Sequence, residues 1–162
     1  MSTAKNVKKF LKKKFKEFNL TNAKFSKNSG ISPAATSRLI NAIQINPDFY
    51  RILSIADYFN CSIDEVIGRK QNVYLSNTKK KFNKVYLAQV SVNIKAFIIN
   101  KLKQQNLTAY SLARLCRLGE NTISNFINNK NVKKILSTNT IISIANYFDC
   151  SIDEMIGRVI IG

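Results

Sequence analysis

The sequence lacks histidine and tryptophan altogether, and it has only three cysteines among 162 residues. Without histidine and with so few thiols, a zinc site has almost no ligands available, and general acid–base catalysis would need perturbed carboxylates or lysines. The cysteines, Cys61, Cys116 and Cys150, show neither a disulfide framework nor a CxxC pair. We therefore expect no enzymatic activity, no metal site and no cofactor, in a protein of a reducing compartment.

Long apolar runs are absent as well. No stretch of about 18 apolar residues occurs, and the N-terminus has no apolar signal region, so neither a membrane span nor a secretory signal is expected. The lysine-rich start at residues 5–18 could lie on a membrane surface. A first structural helix is the simpler interpretation, because the second half of the chain contains its counterpart. The sequence thus predicts a cytoplasmic protein without a membrane partner, and no small-molecule ligand is evident.

An internal repeat dominates what the sequence does contain. Residues 55–69 read IADYFNCSIDEVIGR, residues 144–158 read IANYFDCSIDEMIGR, and twelve of the fifteen positions are identical. Unrelated segments would match at roughly one position in fifteen. The period of 89 residues at this block exceeds the ~20–50 residues of solenoid repeats, so each copy is long enough for its own core. The predicted organisation is a first domain over 1–70, a basic linker over 71–89 and a second domain over 90–162.

Acidic residues are scarce and unevenly placed. The chain has 26 lysines and arginines against 9 aspartates and glutamates, which gives a net charge of +17. Lysine, asparagine and isoleucine are all favoured by AT-rich codons, so part of this charge could reflect genomic bias. Bias does not explain why most of the acids lie in the last third of each repeat and leave the earlier two-thirds nearly acid-free. A one-sided basic field of this kind is typical of proteins that bind polyanions.

The hydrophobic periodicity of each copy predicts five helices and no strand. Apolar residues on one face of the first helix recur at i, i+3, i+4 and i+8 in both copies: Val7, Phe10, Leu11 and Phe15 match Ile94, Phe97, Ile98 and Leu102. Thr21 and Thr108 are predicted N-caps of the second helix. Gly30 suits a left-handed helix end, and Ser32-Pro33 suits a new helix start. Two short helices joined by about three residues predict a helix-turn-helix in each copy.

These residues resemble a known family. The segment LTNAKFSKNSGISPAATSRL of the first copy, followed by a helix and the closing block, resembles the Cro and phage-repressor (XRE) type of helix-turn-helix domain, and LTAYSLARLCRLGENTISNF of the second copy resembles it better. Ser26, Ser29 and Thr36 stand where the family usually has apolar residues, and Arg117 replaces its usual turn glycine. The resemblance implies an all-α fold of two tandem five-helix phage-repressor-like DNA-binding domains.

By this resemblance, the third helix of each copy enters the major groove of double-stranded DNA with its N-terminal end at the base edges. The residues so placed are Asn22, Ser32, Ala34, Arg38, Asn41, Thr108, Asn121, Asn125 and Asn128. Arginine can pair bidentately with guanine and asparagine with adenine, while alanine can meet a thymine methyl group. Glu120 is a further candidate, because its carboxylate could accept from a cytosine amino group. Alternatively, Ser32 and Thr108 only cap helices, Asn128 is ordinary loop polarity, and Glu120 is a first-turn acid that favours the helix dipole.

The linker could add contacts of its own. Three consecutive lysines could contact DNA phosphates or simply form a solvated charge run: Lys79, Lys80 and Lys81. Phe82, Val85 and Tyr86 have helical spacing, and they either lengthen the first helix of the second domain or form a dimer contact.

The sequence favours a double-stranded DNA-binding transcriptional regulator of the nucleoid that is sequence-specific and uses two helix-turn-helix units in one chain, as a monomer or a homodimer. One alternative is an architectural, nucleoid-type DNA-coating protein that binds by charge and little else. Another is an antitoxin-like protein-interaction module. The readout residues differ between the two copies, which favours sequence-specific binding over coating.

Overall fold

The computed structural model describes residues 2–69 and 81–161. The first copy of the repeat forms five helices: α1 (Thr3–Glu17), α2 (Asn22–Ser29), α3 (Pro33–Ile40), α4 (Phe49–Phe59) and α5 (Ile63–Val66). The second copy forms their counterparts: α6 (Leu87–Gln104), α7 (Ala109–Leu115), α8 (Thr122–Asn128), α9 (Thr138–Phe148) and α10 (Ile152–Met155). The predicted all-α fold with five helices per copy is confirmed. Two strands of two residues each, β1 (Lys81–Phe82) and β2 (Ile160–Ile161), complete the described elements.

These elements fall into two compact units. The first unit is Met1–Phe82 with Ile160–Gly162, and the second is Asn83–Val159. The domain boundaries drawn from the sequence stay predictions, because residues 70–80, which form much of the predicted linker, lie outside the described residues. Each unit contains one copy of the repeat and buries its own apolar residues.

The strands and the start of α6 differ from what the periodicity predicted. β1 and β2 pair antiparallel, with Lys81 opposite Ile161 and Phe82 opposite Ile160. The expectation of no strand is therefore wrong, since two-residue strands are too short to show a period. Phe82 lies in β1, Val85 is buried, and Tyr86 is the N-cap of α6, so the expectation that these three residues lengthen the helix is also wrong.

The core of the first unit is aromatic. Helix α1 begins at the N-cap Ser2 and buries one apolar face, on which Val7 and Leu11 are fully buried. Phe25 of α2 is also fully buried, and its ring lies 5.1 Å from the ring of Phe15 and 5.8 Å from that of Phe59, with which it stacks. Each buried side chain of this size stabilises the fold by about 1.5–3 kcal/mol relative to leaving it exposed. The aromatic contacts therefore lock α2, the first helix of the helix-turn-helix, onto α1 and α4.

The core of the second unit is built mainly from aliphatic side chains. Ile94 and Ile98 of α6 are fully buried, as are Leu112 of α7 and Ile141 of α9. Leu112 occupies the position that Phe25 holds in the first unit, so the same core site is filled by a smaller side chain. Cys61 and Cys150 occupy equivalent buried positions in the two cores.

Both units close with the same arrangement after their last short helix. In the first unit, the Asn6 side-chain amide of α1 donates to the Ile67 carbonyl at 2.9 Å, and Asn93 of α6 donates to the Ile156 carbonyl at 2.7 Å in the second. The next residue in each case, Gly68 or Gly157, has a positive φ near 70°, which only glycine adopts without strain.

Ion pairs reinforce this closing turn. Arg69 Nη1 lies 2.6 Å from Asp64 Oδ1, and Arg158 Nη1 lies 2.6 Å from Asp153 Oδ1. Asp64 and Asp153 lie in the first turns of α5 and α10. The acidic residues in the identical sequence block therefore hold the end of each unit in place.

Candidate nucleic-acid interface

The helix-turn-helix of the first unit follows from its capping residues. Thr21 Oγ1 accepts a hydrogen bond from the Lys24 N–H at 3.2 Å and starts α2. Gly30 ends that helix with φ 77°, in the left-handed region. Ser32 Oγ accepts from the Ala35 N–H at 3.2 Å, and proline occupies the first turn of α3. These caps confirm the predicted three-residue connection between the two helices.

The connection in the second unit is longer. Helix α7 begins at its N-cap Thr108, as predicted, and ends at Leu115. Arg117 then has φ 57°, so it takes up the left-handed conformation that Gly30 provides in the first unit. Helix α8 begins only at Thr122, and its N-cap Asn121 makes no side-chain capping bond. Glu120 precedes this cap, so the interpretation of Glu120 as a first-turn acid is wrong.

The second helix of each motif is fixed from behind by buried residues. In α3, Thr36 is fully buried, and its hydroxyl lies 2.8 Å from that of Ser26 in α2. In the second unit, Ala113 and Ile123 occupy the equivalent positions, and both are fully buried. Ser26 and Thr36, two of the polar residues that depart from the family pattern, therefore satisfy each other, and α3 and α8, here called the recognition helices, each have a buried inner face.

All of the site residues predicted in the first unit lie on the exposed surface: Asn22, Ser32, Ala34, Arg38 and Asn41. Among the described residues, no ion pair involves Arg38, so its guanidinium is available to a ligand. Asn41 is less free, because its amide donates to the Ser37 carbonyl at 2.9 Å. Ser32 caps α3, which is the structural role that the sequence left open. Contact of these residues with DNA stays a prediction.

All of the site residues predicted in the second unit are exposed as well: Thr108, Asn121, Asn125 and Asn128. Thr108 Oγ1 accepts from the Ser111 N–H at 3.0 Å, so Thr108 also caps its helix. Asn121 and Asn125 lie four residues apart at the beginning of α8, a spacing that puts their side chains on the same helix face. Two amides side by side can each donate and accept at a base edge.

Sequence reasoning missed a polar cluster beside this face. Tyr110 of α7 is 46% exposed, and its hydroxyl donates to Glu120 Oε1 at 3.4 Å. Arg114 Nη1 donates to the Tyr110 hydroxyl at 3.5 Å, and its guanidinium lies 5.8 Å from the centre of that ring. The i, i+4 spacing of Tyr110 and Arg114 was a usable signal. The Tyr110 hydroxyl therefore links Glu120 to the Arg114 guanidinium beside the N-terminal end of α8.

The loops after the recognition helices differ in character. After α3, Ile43 and Ile45 are 66% and 79% exposed. After α8, the matching loop carries exposed lysines, Lys130, Lys133 and Lys134. Of the three predicted linker lysines, Lys79 and Lys80 lie outside the described residues, and Lys81 is exposed on β1. Phosphate contacts are therefore easier to form from the second loop than from the first.

Cys116 and Tyr50 have shifted pKa values, and neither group forms a reactive centre. Burial raises the pKa of the Cys116 thiol, which lies at the end of α7. Burial, and secondarily the Asp48 carboxylate, raise the pKa of Tyr50. Both groups are therefore protonated at neutral pH. Among the described residues, no group of three or more His, Cys, Asp or Glu side chains could hold a metal ion, and no described helix is both long and apolar enough to span a membrane.

Comparison with known proteins identifies the family of both helix-turn-helix units. Residues 98–159 match the Cro/C1-type HTH DNA-binding domain, and residues 11–66 match a helix-turn-helix family. The chain is 38% identical over 73 residues to the uncharacterized HTH-type transcriptional regulator RP766 of Rickettsia prowazekii (strain Madrid E), over 43% of this chain and 79% of that protein. The uncharacterized HTH-type transcriptional regulator RC1195 of Rickettsia conorii (strain ATCC VR-613 / Malish 7) is also 38% identical over 73 residues, covering 43% of this chain and 67% of its own length. No solved structure matches.

Each matched segment encloses one helix-turn-helix. Residues 11–66 contain α2 and α3, and residues 98–159 contain α7 and α8. The exposed N-terminal ends of α3 and α8 are the parts that such domains turn toward DNA. The chain therefore belongs to the helix-turn-helix transcriptional regulators of the Cro/C1 (XRE) type, a family of DNA-binding proteins, and carries two such domains in tandem.

Proposed function

We propose that the protein is a sequence-specific regulator whose two units read two unlike half-sites of one double-stranded DNA site. The observation that carries this proposal is a difference at equivalent exposed positions on similar helices. Ala34 of the first unit corresponds to Asn121 of the second, and Arg38 corresponds to Asn125. A protein that coats DNA by charge alone has no need for distinct side chains at these positions.

The chemistry of the two sets predicts different base preferences. Arg38 has the five-donor fork that pairs bidentately with guanine, and Ala34 can meet a thymine methyl group. Asn121 and Asn125 carry the amide that pairs bidentately with adenine. The preferred site is therefore a non-palindromic one, with a G-containing half for the first unit and an A-rich half for the second.

One chain carries both DNA-reading units, here called readers, and this raises the affinity of the whole chain above that of either unit. Once one unit is bound, the other experiences a local concentration of roughly millimolar, so two weak contacts become one tight one. A homodimer is not required for two half-sites to be read, although a dimer would present four readers. The regulator acts at the nucleoid without enzymatic activity, through occupancy of its site.

Selection of bound sequences from a random DNA pool with the full chain tests this function. Arg38→Ala is expected to weaken binding to the selected site by roughly 1–3 kcal/mol and to relax preference at one base pair. Asn125→Ala is the matched variant, and it should relax preference at a different base pair in the other half-site. Footprinting of the full chain should show two protected patches.

The phosphate contacts need a separate control. Lys81→Ala should weaken binding to all sequences alike and lower the slope of log K against log salt by about one. If Arg38→Ala and Asn125→Ala also lowered affinity equally for selected and random DNA, the chain would bind by charge, and the architectural alternative would replace the proposed function.

A further inference from the structure

The outward face of α1 carries a row of lysines that the helix-turn-helix does not use. Lys5, Lys9, Lys12 and Lys16, here called the lysine stripe, follow i, i+4, i+7 and i+11 spacing and are all exposed. At 1.5 Å per residue, the stripe runs about 17 Å along the helix. Its residues lie on one face of the helix, opposite the buried Val7 and Leu11.

The lysines of the stripe lie outside the ion pairs described in the first unit. The α1 ion pair joins Lys14 and Glu17 at 3.6 Å, and among the described residues no ion pair involves a lysine of the stripe. Like charges at i, i+4 spacing destabilise a helix. The stripe therefore weakens α1 when the protein is free, and a bound polyanion would relieve that repulsion.

The second unit provides an internal reference for this face. Helix α6 has Val92, Ala96 and Ile99 where the stripe has its first three lysines, and only Lys103 matches the fourth. AT-rich codons would act on both copies of the repeat alike. The concentration of lysine on α1 is therefore a property of this face and not of the genome's composition.

The stripe and the reading face of the first unit lie on two different helices. Helix α3 packs against α1 through its buried residues, which include Ala35 and Leu39, and α1 buries the face of Val7 and Leu11. Two helices that pack through their buried faces expose their opposite sides in different directions. Arg38 and the stripe therefore lie on the outer sides of different helices, so the stripe is a basic surface separate from the exposed face of α3.

A membrane surface does not suit the stripe. A helix that lies on a bilayer inserts an apolar face into the interface between headgroups and acyl chains. The apolar face of α1 is already buried in the core, with Phe10 8% exposed and Val7 and Leu11 fully buried. Lysine ammonium groups act as point charges that attract phosphates without reading sequence. Double-stranded DNA carries one charge per about 1.7 Å of its axis, so about ten phosphate charges lie within the length of the stripe.

We propose that the lysine stripe binds the phosphate backbone of a second DNA duplex, so that one chain bridges two DNA segments. One segment is held by the recognition helices and the other by α1. This contact is sequence-independent and salt-sensitive, and it goes beyond recognition of a site by the two readers. It also gives the first unit a means of contacting phosphates, which its apolar loop at Ile43 and Ile45 does not provide.

A two-duplex capture assay tests the proposal with the full chain. The probes are a bead-bound 40-base-pair duplex and a fluorescent 40-base-pair duplex of mixed sequence, with single-duplex affinity measured in parallel. Replacement of the whole stripe, Lys5→Gln with Lys9→Gln, Lys12→Gln and Lys16→Gln, should reduce capture of the second duplex by about tenfold or more. The dissociation constant for one duplex should stay within about twofold, because the readers are untouched.

Further variants make the result specific. A charge-matched pair of variants separates position from net charge: Lys9→Gln with Lys12→Gln in the stripe should reduce capture, whereas Lys84→Gln with Lys103→Gln, two exposed lysines of the second unit outside the loop after α8, should retain it. Arginine at all four stripe positions keeps the charge and should restore capture. These glutamine variants change exposed positions only, and circular dichroism verifies their helix content.

Three outcomes would overturn the bridging proposal. Unchanged capture by the four-glutamine stripe variant would mean that the stripe is only a solvated face. An equal loss of capture and single-duplex affinity would assign the stripe to the same duplex as the readers. Stripe-dependent binding to phosphatidylserine vesicles that releases the second duplex would assign it to a membrane. The proposed function would be refuted by a different result, namely that selection from the random DNA pool yields no preferred sequence.

Discussion

The two units share the parts that close their folds and differ in the parts that face outward or touch their recognition helices. The Asn6–Ile67 hydrogen bond and Gly68 recur as the Asn93–Ile156 hydrogen bond and Gly157. By contrast, the outward face of α1 is cationic while that of α6 is largely apolar. Closing turns tolerate few side chains because they depend on positive φ and a buried amide. An exposed helix face has no such constraint, so it can acquire a binding function.

A second difference lies behind the recognition helices. The first unit joins α2 to α3 through the buried Ser26 and Thr36 hydroxyls, whereas the second uses the apolar pair Ala113 and Ile123. A buried hydrogen bond contributes about 0.5–1.5 kcal/mol net, but either hydroxyl left without its partner costs about 1–3 kcal/mol. A single substitution at this contact should therefore destabilise the first unit more than the equivalent substitution destabilises the second.

The largest expected effect concerns the aromatic core of the first unit. Phe25→Ala should destabilise that unit by about 3–5 kcal/mol, because it removes a fully buried ring that contacts Phe15, Tyr58 and Phe59. Phe25→Leu, which imports the residue of the second unit, should cost less. Amide hydrogen exchange in α4 and α9 measures the two units separately. Equal loss of protection in α9 would show that the units do not unfold independently.

The shared closing turns should respond to one substitution with unequal losses. A Cβ at position 68 would lie 2.8 Å from the Asn6 side chain and 3.1 Å from its Cβ, whereas at position 157 it would meet only the far end of Asn93 at 2.8 Å. Gly68→Ala should therefore cost about 2–3 kcal/mol, from the left-handed conformation and the displaced amide, and Gly157→Ala should cost less. Chemical denaturation of each variant measures the difference. A larger loss for Gly157→Ala would refute this reading of the two turns.

The hydroxyl pair is best tested by exchanging it for the apolar pair. Ser26→Ala alone should destabilise the first unit by about 1–3 kcal/mol, because the buried Thr36 hydroxyl loses its partner. Thr36→Ile alone should do the same to Ser26. The double variant should lose less than the sum of the two, with a coupling of about 0.5–3 kcal/mol in a double-mutant cycle. Strict additivity would mean that the 2.8 Å contact contributes no stability.

The parts of this comparison that were readable from the sequence are local ones. Thr21, Gly30 and Ser32 identify the helix ends of the first motif because capping depends on a residue and its near neighbours. The pairing of Lys81 with Ile161 was not readable, since it joins two-residue segments far apart in the chain. The contact between Ser26 and Thr36 was not readable from the sequence either. A polar residue at a usually apolar position indicates a packing defect unless its hydrogen-bond partner is known.

The candidate site divides in the same way. The resemblance predicted residues that all prove exposed, since the outward positions of a helix follow from its period. The cluster of Tyr110, Arg114 and Glu120 depends on how the turn before α8 brings two segments together. The greater length of the connection that contains Arg117 could not be predicted from the sequence either. The two copies align there without a gap, and they differ in where the backbone leaves and re-enters the helical conformation.

The smallest expected effect concerns the turns at Gly30 and Arg117. Arg117 holds φ 57° where Gly30 holds φ 77°, and the left-handed conformation costs a residue with a Cβ about 1–2 kcal/mol. Arg117→Gly should therefore stabilise the second unit by about 1 kcal/mol, partly offset by the greater freedom of glycine in the unfolded chain. Gly30→Ala should destabilise the first unit by a similar amount without a steric clash, because nothing lies within 4 Å of the added Cβ. Urea unfolding measures both. A loss of stability in Arg117→Gly would show that the arginine side chain contributes more to the fold than its backbone strain removes.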